Sequence, residues 1–226
     1  MSNAIILANG AFPRRLEALQ AMQAIPLLIC CDGAYNRLVE SRIFANAERI
    51  PEVHVVGDGD SLSDAIRNHP PFPTVFVNDY KDQETNDLTK TVKYAVSKGV
   101  DRIVILGATG LREDHALANI SLLADYSSML TLAGKPLGVR MYSDYGYFTP
   151  LTSSREIHSF AGQQVSLFLL EGDVRLSVEG LKYPVENRTF RHWWEGSLNE
   201  ALGDRFTVNL SGSGTLLVYQ THDAKG

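Results

Sequence analysis

Through roughly the first 145 residues, short apolar runs recur with helix-like segments between them. The runs are AIILA (4–8), LLICC (27–31), VHVVG (53–57), TVFVN (74–78), RIVILG (102–107) and VRMYS (139–143). Several are apolar throughout and rich in Val and Ile, the signature of parallel strands covered on both faces. Between them, PRRLEALQAM has Pro13 at a first turn and Leu16, Leu19 and Met22 along one side. NDLTKTVKYAVSKG places Leu88, Val92, Ala95 and Val96 on one face, with Gly99 as a stop. A third helix is expected from near Asp114 through HALANISLLADY. This alternation predicts a doubly wound, mostly parallel sheet.

The pattern changes after Tyr147. The runs EIHSF, QQVSLFLL, VRLSVEG, RFTVNL and GTLLVYQ are strand-like and separated by Gly, Asp and Ser turns, as in a small β-sandwich. The expected fold is therefore α/β, with a smaller C-terminal β-sandwich. The division is expected as 1–146 and 147–226, with YGYFTPLTSS (145–154) as the linker.

Composition excludes several classes of function. The net charge of -5 argues against nonspecific nucleic-acid binding, which needs a basic footprint. No apolar run reaches bilayer-spanning length, and MSNAIILANG lacks a basic n-region, so no membrane partner and a cytoplasmic setting are expected. Cys30 and Cys31 are neighbours, which on a strand point to opposite faces and suit neither a disulfide nor a zinc site.

In open α/β sheets, ligands bind outside the carboxyl ends of the strands. Those positions are acidic here. CDGAYNRL follows strand two, GDGDSL strand three and NDYKDQETNDLTK strand four, supplying Asp32, Asp58, Asp60, Asp82, Glu84 and Asp87. Like charges gathered in a cleft repel unless a cation neutralises them, and a hard dication, magnesium best of all, suits carboxylates with substrate phosphates. Each motif has a structural reading as well. Asp-Gly is a common turn, and Thr85 or Asn86 is equally an N-cap with Asp87 favouring the dipole. The pair Asp58 and Asp60, at i and i+2, is the strongest, because both carboxylates can aim at one ion.

After strand five comes GATGLREDHALAN. Gly107 and Gly110 permit close backbone approach, Arg112 can grip phosphate oxygens through its planar fork, and Asp114 is either an N-cap or a functional group. His115 stands alone and is not read as a metal ligand. No GxxxxGK[ST] exists, since Gly134-Lys135 runs into Pro136, and no GxGxxG follows the first strand. Phosphate must be handled by another loop arrangement.

In order, these motifs resemble the thiamine pyrophosphokinase family. CDGAYNRL is similar to that family's C-A-D-G-G-A-N-R-L stretch and VVGDGDSL to its G-D-x-D-S motif. KDQETNDLTKTVKYA is similar to its D-x-x-T-D segment, and GATGLREDHALANISLL to its G-x-x-G-x-R-x-D-H-x-L-x-N block. In the C-terminal half GLKYPVEN matches G-L-K-Y-P-L-x-N. The resemblance implies a nucleotide-binding α/β domain, a β-sandwich that helps bind thiamine, and a homodimer sharing the thiamine pocket. The implied reaction transfers pyrophosphate from ATP to thiamine, giving thiamine diphosphate and AMP.

Carried over residue by residue, Asp32, Asp58, Asp60 and Asp87 fall on the family's acidic positions. Gln83, Thr109, Arg112, Asp114 and Asn119 fall on its polar ones. Asp58, Asp60 and Asp87 are assigned to magnesium with Asp32 nearby, Asp60 also to the thiamine hydroxyl proton, and Arg112 to phosphate charge. Trp193 and Trp194 are candidates for an aromatic wall beside cationic thiamine, or else core residues. Two departures stand out. Asn86 precedes Asp87 where the family has Thr. Ser197-Leu198-Asn199 stands for the family's Ser-x-Ser-Asn, leaving Ser197 and Asn199 as the pocket candidates. The alternatives are another magnesium-dependent nucleotide enzyme, or a noncatalytic thiamine- or nucleotide-binding regulator.

Overall fold

A computed structural model describes residues 2–78 and 85–224. The chain separates into two compact units. One comprises residues 1–122 with 128–144, the other residues 123–127 with 145–226.

The first unit is built on six parallel strands: β1 (Asn3–Leu7), β2 (Leu27–Cys31), β3 (Glu52–Gly57), β4 (Thr74–Asn78), β5 (Arg102–Leu106) and β6 (Gly138–Tyr142). Their spatial order is β6-β5-β1-β2-β3-β4. The chain winds outward from β1 to β4, then returns to the other side of β1 as β5. That reversal makes the β1/β5 crevice the switch point where such sheets bind ligands. Side chains alternate across the sheet. Ile5, Leu7, Leu28, Cys30, Val53 and Val55 join one buried cluster, and Ile6, Ile29, Val56 and Ile105 on the opposite face are buried too. Burial on both faces is why β1 and β2 read as near-continuous apolar runs, while in β3 the buried His54 interrupts the run and is bonded to Glu52 and Tyr94.

Helices α1 (Leu16–Ala24), α2 (Ala34–Ser41), α3 (Asp64–Asn68), α4 (Asp87–Ser97) and α5 (Glu113–Ser121) connect the strands. Asn86 caps α4, its side-chain oxygen accepting from the Thr89 amide at 2.8 Å, so of the two capping readings Asn86 is the right one. α1 begins at Leu16, later than the Pro13 start expected from sequence. The third helix is broken: α5 stops at Ser121, and α6 (Leu123–Ser128) begins where the chain passes into the second unit. α2 was not foreseen, because CDGA reads as a turn. Ala34, Tyr35 and Leu38 nonetheless bury its inner face.

The second unit is antiparallel. β7 (Gly146–Leu151), β8 (Arg155–His158), β9 (Gln163–Glu179), β10 (Val185–Arg188), β11 (Asn199–Glu200) and β12 (Arg205–Ala224) pair in the order β10-β9-β12-β7, with β8 on β12 and β11 on β9. Four strands expected from sequence are really two. QQVSLFLL and VRLSVEG run together as β9, and RFTVNL and GTLLVYQ as β12. Their Gly-containing junctions bend the strands instead of reversing them. The β9–β12 register shifts between Thr215 and Leu216, and Gly172 has φ +86°. Each long strand thereby serves two layers. Residues 205–208 of β12 pair with β8 and residues 216–221 with β7, while β9 runs beside β12 from Thr207 to Gln220. Leu167, Leu176, Val178, Phe206, Val208, Leu216 and Val218 fill the core of this sandwich. Among the described residues, no helix is long and apolar enough to cross a membrane.

A Cβ at Gly172 would lie 2.1 Å from the Ser213 carbonyl oxygen, in a left-handed backbone region that Ala resists. Gly172→Ala should therefore destabilise the protein by more than about 1 kcal/mol, seen as a lowered urea or thermal midpoint.

Candidate active site

The carboxyl ends of β1, β2 and β5, together with the starts of α4 and α5, enclose a cleft of about 370 Å³. At its floor the β1 and β5 loops are joined backbone to backbone. The Gly10 amide donates to the Gly107 carbonyl at 2.6 Å and the Ala11 amide to the Thr109 carbonyl at 2.9 Å. Asn119 of α5 fastens the same loop, its side-chain amide donating to the Ala108 carbonyl at 2.8 Å.

Of the residues expected from sequence, Asp32, Asp87, Thr109, Arg112 and Asn119 line this cleft together. Asp32 is the most constrained. It follows β2 directly, is buried, and packs against Gly57, where a Cβ would lie 2.6 Å from the Asp32 Cβ. Its Oδ2 accepts from the Ser61 amide at 2.9 Å. Its Oδ1 is buried with no hydrogen-bond partner among the described residues. Burial pushes the Asp32 carboxyl above the usual carboxylate range. The Ser61 amide offsets part of this, and repulsion from Asp58 and Asp87 adds to it. Asp58 and Asp87 are thus close enough to feel Asp32 electrostatically.

Asp58 Oδ1 accepts from the Asp60 amide at 3.1 Å, which folds the loop back on itself and leaves Asp60 exposed. Neither Asp58 nor Asp60 is among the residues lining the cleft. Among the described residues, no three Asp, Glu, His or Cys side chains form a ready-made group that could hold a metal ion. Asp82, Gln83 and Glu84 lie outside the described residues. Asp114 does not cap α5, because Arg112 occupies that position and Asp114 sits in the first turn. It instead pairs with Arg112, whose Nε is 3.1 Å from Asp114 Oδ1. The guanidinium and the His115 amide hold the Asp114 carboxyl down to about 2, so this pair stays ionised at any working pH.

Several residues were not read from sequence. Asn9, immediately after β1, lines the cleft, and the strand-end rule that found the acids points to it equally. His115 lines the cleft too. The guanidinium of Arg67 (α3) packs on Gly59, with Nη1 3.0 Å from where a Cβ would sit. Buried Lys90 places its Nζ 3.4 Å from Asp87 Oδ1; the i,i+3 spacing on α4 is the signal that could have revealed it. Cys31 also faces the cleft, but burial pushes its thiol up to about 12, so it remains neutral.

The remaining candidates belong to the second unit. Trp193 is 45% exposed, donates from Nε1 to the Leu169 carbonyl at 3.1 Å and meets Phe168 edge-on. Trp194 is 74% exposed, so neither is a core residue. Ser197 donates its hydroxyl to the Trp194 carbonyl at 2.8 Å. Asn199 is buried and its amide is engaged with the chain. It donates to the Tyr183 carbonyl at 2.6 Å and accepts from the amides of Tyr183 and Glu200. Leu198 between them has φ +61° and is exposed.

The raised Asp32 carboxyl has a definite sign. A carboxyl that holds its proton more tightly when folded stabilises the fold fully below the unfolded value, and that stability is lost as pH rises through the folded one. Asp32→Asn should therefore have a higher melting temperature than the parent at pH 7. The difference should shrink as pH falls towards the unfolded reference of about 3.9, because Asp32 takes up its proton on the way. Thermal unfolding at both pH values checks this.

Comparison with known proteins accords with this geometry. Residues 18–132 match the family described as thiamin pyrophosphokinase, catalytic domain, and residues 146–219 match its substrate-binding domain. Thiamine pyrophosphokinase 1 of Oryza sativa subsp. japonica is 26% identical over 209 residues, covering 84% of this chain and 76% of the rice protein. The Bacillus subtilis (strain 168) thiamine pyrophosphokinase is 28% identical over 141 residues, 60% of this chain and 62% of its own. In fold, the chain is similar to the Candida albicans thiamin pyrophosphokinase structure, with a TM-score of 0.80 at 18% identity, covering 98% of this chain and 90% of that one. With both domains matched in chain order, this protein belongs to the thiamin pyrophosphokinase family.

Proposed function

We propose that the protein transfers the pyrophosphoryl group of ATP to the hydroxyethyl oxygen of thiamine, giving thiamine diphosphate and AMP. The observation that supports this reading is the buried Asp32 Oδ1, without a hydrogen-bond partner among the described residues, in a switch-point cleft that also holds Asp87 and Arg112. A buried carboxylate oxygen without a partner is costly unless a ligand completes it.

Magnesium fits this donor set. Carboxylates are hard oxygen donors, and magnesium takes one or two of them with substrate phosphates and water, without needing an all-protein cage. Its carboxylate ligands would come from among Asp58, Asp60 and Asp87, with Asp32 beside them. When bound, it would neutralise charge on the phosphate oxygens. The chain's own groups do the rest. The joined β1 and β5 loops and the start of α5 receive the triphosphate, with Arg112 countering charge that grows on the phosphate oxygens. The thiamine oxygen bonds to the β-phosphorus, the bond from the β-phosphorus to the α,β-bridging oxygen breaks, and AMP departs with that oxygen. The hydroxyl proton passes to a carboxylate, for which exposed Asp60 is our assignment. Positioning and charge supply most of the acceleration in such transfers.

The β-sandwich presents exposed Trp193, Trp194 and Tyr183, aromatic faces suited to cationic thiamine. With residues 147–226 read as the thiamine-binding part, a homodimer sharing this surface and a cytoplasmic setting complete the proposal.

Incubation with ATP, magnesium and thiamine should yield AMP and thiamine diphosphate in equal amounts. AMP release that ignores thiamine would instead favour a nucleotide hydrolase, and its absence a noncatalytic binder. Asp58→Asn and Asp60→Asn should each abolish turnover with circular dichroism unchanged. Arg112→Ala should lower kcat about 100-fold, the scale of losing one charge-stabilising donor.

A further inference from the structure

Asn36 is half-buried in the first turn of α2 and is not among the residues lining the cleft. Its side chain nevertheless reaches the loop that carries Asp58 and Asp60. Asn36 Nδ2 donates to the Ser61 carbonyl at 2.7 Å, and the Ser63 amide donates to Asn36 Oδ1 at 3.4 Å. Both ends of one amide are thus used on the backbone either side of Leu62. Together with the bond from the Ser61 amide to Asp32 Oδ2, this fastens the acidic loop to the β2–α2 turn at three points.

The neighbouring residue does the same for the loop after β1. Arg37 Nε donates to Asn9 Oδ1 at 2.9 Å, and Asn9 lines the cleft. Gly33 sits between the two fastened loops. A Cβ there would lie 2.7 Å from Asn9 Nδ2 and 2.9 Å from Ser61 Cβ. The first turn of α2 is therefore a hub against which two site loops are pressed.

We infer that Asn36 is a positioning residue for the reaction, fixing the Asp58–Ser63 loop so that Asp58 and Asp60 stand at a set distance from Asp32. The inference rests on the functional reading above. The physical reason is that the charge of Asp58 opposes that of Asp32, as does that of Asp87, which favours separation of the Asp58 loop from the end of β2. The amide of Asn36 is neutral and can oppose this movement without adding to the repulsion. A misplacement of about 1 Å at such a site costs on the order of 100-fold in rate.

Asn36→Ala tests it by two independent readouts. In the protein without ligands, hydrogen exchange at the Ser61 and Ser63 amides should speed up at least about tenfold, while amides of β2 and β3 keep their protection. In turnover, kcat should fall at least about tenfold with KM for ATP and thiamine little changed, and half-saturation by magnesium should move to higher concentration. Ser41→Ala is the control: it removes the hydroxyl bond to the Leu38 carbonyl at 2.6 Å on the same helix, and should leave kcat and both loop amides as in the parent. Asn36→Asp, which keeps the acceptor for the Ser63 amide and loses the donor to the Ser61 carbonyl, should still lose turnover and should expose the Ser61 amide more than that of Ser63. It carries the test if Asn36→Ala does not fold. Unchanged exchange at both amides with parental kcat overturns the inference, as does a kcat loss that Ser41→Ala reproduces. A parent protein without thiamine-dependent AMP defeats the functional reading instead, and the exchange result then decides the clamp by itself.

Discussion

A carboxylate at the end of β2 organises the first unit. Asp32 is buried, yet only one of its oxygens is bonded within the described chain. Burial and the repulsion of Asp58 and Asp87 both work against its charge. An unsatisfied buried charge of this kind is tolerated where a ligand completes it, and it is a local cost to folding. The surroundings limit that cost. The Ser61 amide serves one oxygen, Gly57 leaves room for the side chain, and α2 holds the loop that brings Ser61.

The parallel sheet makes this arrangement possible. Because β1, β2, β3 and β5 all point the same way, their following loops converge on one edge. Strand order reverses at β1/β5, and the cleft lies against the hydrogen-bonded loops that follow these two strands. The acids after β2 and β3, the start of α4 and Arg112 at the start of α5 then lie along one sheet edge although they are far apart in sequence. Arg112 is tied to Asp114 in an exposed surface pair, of a kind whose net energy is small.

The second unit meets a different constraint. A small sandwich must cover its core with few residues, and β9 and β12 do so by bending, each contributing to both layers. This leaves the 3-10 turn Trp193–Gly196 on the surface, with Trp194 and the neighbouring Leu198 exposed. Asn199, expected to be a pocket residue, binds the Tyr183 backbone to β11. Any contact it makes with a ligand would have to share a group already engaged.

Sequence by itself determined the strand set of the first unit, most firmly for inner strands such as β2, whose residues are buried on both faces and apolar without interruption. Residues Thr74–Asn78 of β4 and Leu27–Cys31 of β2 are delimited just as their apolar runs suggest. It also determined which residues follow each strand, and hence that acids crowd one edge. Tertiary structure decided the rest. Whether Asp32 is an exposed turn residue or a buried carboxylate depends on Gly57 and Ser61, which lie one strand away and are invisible to local pattern. α2 depends on burying Tyr35 and Leu38 against β2 and β3, since eight residues of that sequence have little helical tendency alone. And Gly172 bends a strand where the sequence suggested a turn, because the Ser213–Gly214 backbone lies directly against it. A glycine permits either course, and only the chain across from it makes the choice.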